Sequence, residues 1–469
     1  MRKILYLVLA GLSFACYSCS NDDDFSSSSD LSLAFSSEAV SFDTVFTTIG
    51  SATRQFKIYN KNASSLIIQS IELMNPEKSG FRMNIDGEKG TKLTNVEILK
   101  KDSLFGFIEV TVNPLDVNTP VLIRDSVKFT TNGNIQYLYL EAVGQDVHIW
   151  RREIVTKDSV LTADKPILVY NSVSVNKNVS LSIQEGVVFY MKKGSSIQVH
   201  GHIIAKGNIG KPIVFRGSRF DKIEGDIPYD NVPGQWDGIY FFPESYGNNL
   251  ENIYIRNATK GLTFFASDIQ YRKASLKNVI VHNSSEYGAM AENANIVGSN
   301  CLFTNARTAA LILQGGKYSF LHCTLANYYP WSARRSETLL LSNISDMALT
   351  APLLQCDFIN TIIYGSLSKE ISLNNQHKES AFNYQFTNCL IKSVETDGTH
   401  FTNVIWNKSP LFRFLNDDGT NNFNFELQKG SPAIGQADKA YSLSVPFDLR
   451  GISRLDNSNP DIGCYEWIE

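Results

Sequence analysis

Between Asn252 and Ser393 apolar and polar positions alternate in six short stretches of one pattern. They are Asn252-Ile253-Tyr254-Ile255-Arg256-Asn257, Asn278-Val279-Ile280-Val281-His282-Asn283, Asn300-Cys301-Leu302-Phe303-Thr304-Asn305, His322-Cys323-Thr324-Leu325-Ala326-Asn327, Asn360-Thr361-Ile362-Ile363-Tyr364-Gly365 and Asn388-Cys389-Leu390-Ile391-Lys392-Ser393. The second and fourth positions are almost all apolar and the fifth varies freely. Alternation with period two predicts a strand with one buried face. The starts lie 26, 22, 22, 38 and 28 residues apart, the spacing of stacked coils with occasional insertions. One such coil cannot bury its apolar edge alone, so neighbours must stack. Short apolar runs punctuated by Gly186, Gly201 and Gly207 extend the pattern back to about Pro166, and Gln235-Trp236-Asp237-Gly238-Ile239-Tyr240-Phe241 continues it. Two polar stretches, 219–234 and 328–338, interrupt it. Insertions in a solenoid map to loops on one face, often the binding face.

Residues 31–146 predict a separate β-sandwich, with strand-like runs at 55–59, 65–73, 107–112, 125–130 and 136–142 divided by turns such as Asn60-Lys61-Asn62 and Asn132-Gly133-Asn134. The coils occupy 147–408, and 409–469 close the chain. At 469 residues with 43% apolar content, a large core in several domains is expected. Long helical periodicity is missing, so the fold class is all-β. A net charge of −4 with scattered Lys and Arg argues against a nucleic-acid partner.

Residues 1–19 predict a signal: Arg2 and Lys3 precede an apolar run from Ile4 to Phe14 that is too short to span a bilayer. Cys19 heads Cys-Ser-Asn-Asp-Asp-Asp, which resembles the acidic export tag of surface lipoproteins of Bacteroidota; Cys16 is the alternative lipidation site. The resemblance implies an outer-membrane lipoprotein exposed on the cell surface and held by its lipid. Residues 20–30, with four consecutive serines, predict a flexible polar tether.

The coils resemble the right-handed parallel β-helix of the pectate-lyase-like superfamily. The resemblance implies an internal asparagine ladder from the closing residues Asn257, Asn283, Asn305 and Asn327. The C-terminal Pro460-Asp461-Ile462-Gly463-Cys464-Tyr465-Glu466 resembles the terminal cap of secreted bacterial β-helix proteins. Asp461, Glu466 and Arg450 are then polar groups that fix a cap over the last coil's strand edge. Residues 31–146 resemble the immunoglobulin-like modules that precede such domains; a spacer role is the first reading and glycan binding the second.

Five cysteines follow the signal. Cys301, Cys323 and Cys389 share a column with Ile253 and Val279, predicting buried free thiols rather than disulfides or a metal site. Polysaccharide-cleaving members of the superfamily need paired carboxylates or a base beside cations. Asn-x-Asp and Asp-Asp pairs are missing between 166 and 391, and Arg-x-Lys is missing throughout, which argues against a glycosidase. A lyase needs a base and a cation to neutralise a uronate. His282 is the candidate base, with Arg256 and Arg334 as candidate neutralisers, and calcium would join only in that case. The candidate binding surface is Tyr254, Arg256, His282, Arg307, Tyr329, Trp331, Arg334 and Arg335. The reading favours a binding or structural scaffold for glycans or envelope components over a polysaccharide lyase, and a lyase over a glycoside hydrolase. No cofactor is expected.

Overall fold

The structure is a computed structural model that describes residues 24–223, 226–345, 349–394, 398–416, 419, 421–456 and 459–469. Cys16 and Cys19, with the rest of residues 1–23, lie outside the described residues. The chain forms two compact units, 1–146 and 147–469.

The first unit is built of two five-stranded sheets. One is ordered Ala34–Phe35, Arg54–Tyr59, Ser103–Val110, Phe81–Ile85 and Glu88–Gly90; the other Ala39–Phe46, Asn134–Gln145, Val121–Thr131, Leu66–Leu73 and Lys92–Ile98. Alternating residues of both, among them Phe56, Ile58, Ile68, Ile71, Phe129 and Leu138, meet in one apolar core, as facing sheets require. Residues 25–30 differ from the free tether expected of their composition. Ser26 N donates to Ser65 O at 3.0 Å, and the Asn132 and Asn134 amides donate to the carbonyls of Ser26, Ser28 and Ser29. The serine run supplies backbone acceptors to these two asparagines, and that pins it to the sandwich.

The second unit is a parallel β-helix whose 26 strands form one continuous ladder. Register runs coil to coil: Ile280 pairs with Leu302, Leu302 with Thr324, Thr324 with Ile362 and Ile362 with Leu390. Second- and fourth-position side chains point inward and are buried, Cys301, Cys323 and Cys389 among them, all as free thiols. Inside, Phe320, Phe358, Phe386 and Phe401 stack along the axis at 5.2, 5.3 and 5.2 Å with rings 12°, 10° and 7° from parallel. Offset stacking of this kind adds to the area each ring buries.

The asparagine ladder runs through the opening residues of the rungs, in two segments. Asn252, Asn278, Asn300, His322, Asn360 and Asn388 all adopt positive φ near 50°, a conformation that Asn tolerates better than most residues. Asn278 donates to Asn252 Oδ1 at 2.8 Å and Asn300 to Asn278 Oδ1 at 3.1 Å; His322 Nε2 and Asn360 Nδ2 lie 3.1 Å apart where the series changes residue. In the closing column only Asn283 reaches its neighbour, Asn257, at 3.2 Å. There the amides turn to backbone instead: Asn257 to Asp230 O, Asn283 to Asn231 O and Asn327 to Ala306 O. The insertion at 219–234 thus takes two amides the resemblance had assigned to a ladder.

The C-terminal cap packs on the flank of the helix. Its hairpin, Phe412–Leu415 with Phe423–Leu427, and the loops after it bury Leu302, Ala326, Ile362 and Leu390, which face outward from the coils, against Phe412, Phe425, Ala433 and Ile462. Polar bonds fix the register. Cys464 N donates to Thr324 Oγ1, Gly463 N to Asn360 O and Asn300 Nδ2 to Phe447 O. At its centre Arg454, with no exposed surface, pairs with Glu466 and donates to Asn300 Oδ1 and Gly463 O, both at 3.0 Å.

Candidate functional site

The fifth rung position forms an outer column that register extends across the coils: Tyr190 pairs with Arg216, and Arg256 with His282, Thr304, Ala326 and Tyr364 in turn. The insertion at 219–234 folds back onto its first half. A 3-10 turn, Tyr229–Asn231, follows Pro228 and is held by Gln235, which donates to Tyr229 O and Val232 O at 2.6 and 2.8 Å. The turn carries the Asp230 carboxylate between Arg216, at 2.8 Å, and Arg256. Both guanidiniums are mostly enclosed, and burial pulls Arg216 below its usual value although Asp230 opposes this.

His282 sits under Phe423 of the cap, ring centroids 6.2 Å apart, and shares a 2.8 Å hydrogen bond with Thr304 Oγ1. Burial, and then the Arg256 charge, hold its pKa down at about 3. This differs from the solvent-facing column read from the sequence: the cap covers its lower half and Asp230 neutralises its upper cation. Arg334 is committed elsewhere. Its side chain is 2% exposed, it pairs with a fully buried Glu370 at 2.6 Å, and it donates to Asn327 O at 2.7 Å. Glu370 also accepts from Thr338 N and Oγ1 and from Leu367 N. This network clips the 328–338 insertion to the coil.

Of the candidate binding surface, the structure brings Tyr254, Arg256 and His282 together, with the Arg256 guanidinium 5.1 Å from the Tyr254 ring. Arg307, Tyr329, Trp331, Arg334 and Arg335 gather around the second insertion. Arg335 N donates to Arg307 O, Tyr329 is buried and only Arg335 is exposed.

Sequence reasoning missed the other side of the first insertion. There Met191, Lys192, Lys193, Ser218, Arg219, Tyr229, Gly234 and Gln235 line a cavity of about 330 Å³. Lys192 and Ser218 follow inward-facing Met191 and Gly217 on paired coils. Burial, and then the charge of Arg219, lower the Lys192 pKa. Arg219 stacks 3.5 Å over Tyr229 and pairs with Asp221, and Lys193 is exposed. Among the described residues, Lys192, Lys193 and Arg219 bring cationic side chains to this cavity. Gln235 leaves its buried Oε1 without a partner. The arrangement suits an anion. The alternation of Lys192-Lys193 with Arg219 across one coil was the sequence signal for it.

A second missed group lies on the adjoining sheet. Burial raises Asp237 despite Lys260, Lys260 lies 3.6 Å from Glu286, and Tyr240 is pushed up to about 12 by burial, with Asp237 and Glu286 adding to it. Glu286 is half exposed and already paired with Lys260. Among the described residues, no three His, Cys, Asp or Glu side chains gather where they could hold a metal.

No family model and no curated protein matches the chain. Among solved structures, a family 123 glycoside hydrolase from Clostridium perfringens aligns over 26% of this chain and 30% of its own, with 6% identity and a TM-score of 0.18. The catalytic domain of a GH87 alpha-1,3-glucanase in complex with tetrasaccharides aligns over 75% of this chain and 87% of its own, with 9% identity and a TM-score of 0.17. The same domain in complex with nigerose aligns over 76% and 88%, with 9% identity and a TM-score of 0.19. At such scores the alignments carry no functional information.

Proposed function

We propose that this chain is a lipid-anchored cell-surface protein whose β-helix holds acidic saccharides without cleaving them. In this reading Cys19 carries the lipid and the immunoglobulin-like sandwich carries the helix. The observation that carries it is the cavity beside the first insertion. Lys192, Lys193 and Arg219 line it together with Tyr229. Crowded cations repel one another, so an anion that enters relieves the repulsion and gains charge-assisted hydrogen bonds. In this reading a carboxylate would take Lys193 and Arg219 at the cavity mouth.

The lyase alternative meets two obstacles. A base with a pKa of about 3 is weak at neutral pH, and His282 lies beneath Phe423. Its neutralising partner Arg256 is already held by Asp230. Affinity electrophoresis of the full chain through gels containing polygalacturonate tests the proposal. Retardation is expected, weakened roughly tenfold or more by Lys193→Ala with Arg219→Ala. Migration unaffected by the polymer, or release of unsaturated sugar ends from it, would overturn the reading.

A further inference from the structure

The outer face of the first sheet of the sandwich carries an ordered grid. Strand register sets three rows across it. Thr53 and Arg82 flank Glu109, Gln55 and Asn84 flank Phe107, and Lys57 flanks Phe105. Lys89 pairs with Asn84 on the next strand. These side chains point away from the core because Phe56, Ile58, Ile108 and Met83 point into it. Phe105 and Phe107 lie side by side, centroids 6.5 Å apart and 20° from parallel. Phe105 is 40% exposed. Beside Phe107 opens a cavity of about 520 Å³, lined also by Arg82, Asn84, Lys89, Thr91 and Glu109.

Glu109, Arg82 and Asn84 each have a defined partner. Thr53 Oγ1 donates to Glu109 Oε1 at 2.8 Å and Arg82 lies 3.6 Å from Glu109 Oε2. The Thr53 hydrogen bond, and behind it the Arg82 charge, hold the Glu109 carboxyl below its usual value, so it remains an acceptor. Arg82 donates to Thr111 Oγ1 at 3.0 Å. Asn84 Oδ1 accepts from Gly87 N at 3.0 Å, which fixes the amide so that its NH2 is the part left to donate. Arg82 and Glu109 largely cancel each other's charge, and Lys89 adds one cation to the lining. The cavity thus offers a planar donor, a planar acceptor, an amide and an ammonium beside an aromatic ring.

Vicinal hydroxyls of a sugar donate to and accept from such planar groups in pairs, while the C–H face of the ring covers an aromatic side chain. A peptide strand would instead seek an open sheet edge, whereas Arg82, Asn84, Phe107 and Glu109 of this lining stand on the sheet face. We infer that the sandwich is itself a binding module for a neutral saccharide chain, with Phe107 as the platform and Asn84, Arg82 and Glu109 reading its hydroxyls. The site is independent of the cavity in the β-helix, and its ligand differs in charge.

The test uses the full chain and four neutral probes: cellohexaose, maltohexaose, laminarihexaose and mannohexaose, each titrated by calorimetry. Binding of at least one is expected. Phe107→Ala should abolish it, Asn84→Ala should weaken it roughly tenfold, and Phe107→Tyr should retain it. Lys193→Ala with Arg219→Ala should leave it unchanged, so that failure of this site and failure of the β-helix cavity are told apart. Thermal melts confirm that each variant is folded. Binding of none of the four probes, binding that survives Phe107→Ala, or loss in the Lys193 and Arg219 variant would each overturn the inference.

Discussion

Replacing Arg454 by Met should open the C-terminal cap while leaving the coils and the sandwich intact. Arg454 is wholly buried, pairs with Glu466 and donates to Asn300 Oδ1 and Gly463 O. Methionine fills most of the volume but, at a pH above the Glu466 pKa of about 7, leaves that carboxyl buried without its cation. Breaking a buried pair in this way costs about 3–5 kcal/mol, equivalent to a rise in local opening of roughly two to three and a half orders of magnitude. Amide hydrogen exchange followed by mass spectrometry reads this locally. Protection should fall across 433–466 and across the coil positions the cap covers, near 302 and 324–326, and stay unchanged in 54–59 and 103–110. Adding Glu466→Leu to Arg454→Met should recover most of the loss, because neither charge is then stranded. The remaining deficit should be about 1–3 kcal/mol, from the Asp461 N–H that Glu466 accepts at 3.0 Å. Exchange in Arg454→Met within about fivefold of wild type, equivalent to about 1 kcal/mol, would refute this account of the latch. So would a double variant as open as the single one.

Three further outcomes follow from the same packing. Burial lifts the Glu466 carboxyl to about 7, against the pull of Arg454 and with Asp461 adding to the rise. The folded state therefore favours the protonated acid, and this contribution is whole below about pH 4.5 and lost as pH rises through 7. Cap protection should decline over that window in wild type and stay flat in Glu466→Gln, and a wild-type profile as flat as the variant's would contradict it. Cys301, Cys323 and Cys389 are fully buried, and burial pushes Cys389 up to about 12. Thiol reagents should label them slowly in the native chain and completely in denaturant; fast native labelling would mean the rungs are misaligned. Asn300 holds φ at 50°, so Asn300→Ala should be less stable than Asn300→Gly in urea by about 1–2 kcal/mol, since only Ala bears the left-handed penalty. The reverse order would remove the strain argument.

The coils were legible because a strand's buried face has period two and a solenoid repeats it, so Ile253, Val279, Cys301 and Cys323 fell into one inward column without any tertiary knowledge. Which asparagine column carries the ladder was not. Both ends of the rung hold Asn, and the choice depends on Asp230 and Asn231, residues of an insertion whose path no local pattern sets. The cap motif could be read, but its seat could not: the apolar outward positions Leu302, Ile362 and Leu390 signal a cover without saying what supplies it. Arg334 looked available because its partner Glu370 lies 36 residues away in the chain. Lys192-Lys193 and Arg219 were visible as charges. Their convergence required the pairing of Met191 with Gly217, which brings the two turns side by side.

Calorimetric titration of the full chain with hexagalacturonate at rising salt, with absorbance from unsaturated ends followed in the same samples, tests the central claim most directly. The account predicts binding that weakens as salt screens the cations, is largely lost in Lys193→Ala with Arg219→Ala, persists in Phe107→Ala, and yields no unsaturated product. Binding indifferent to salt and to the Lys193 and Arg219 substitutions, or a steady rise in absorbance with the wild-type chain, would contradict it.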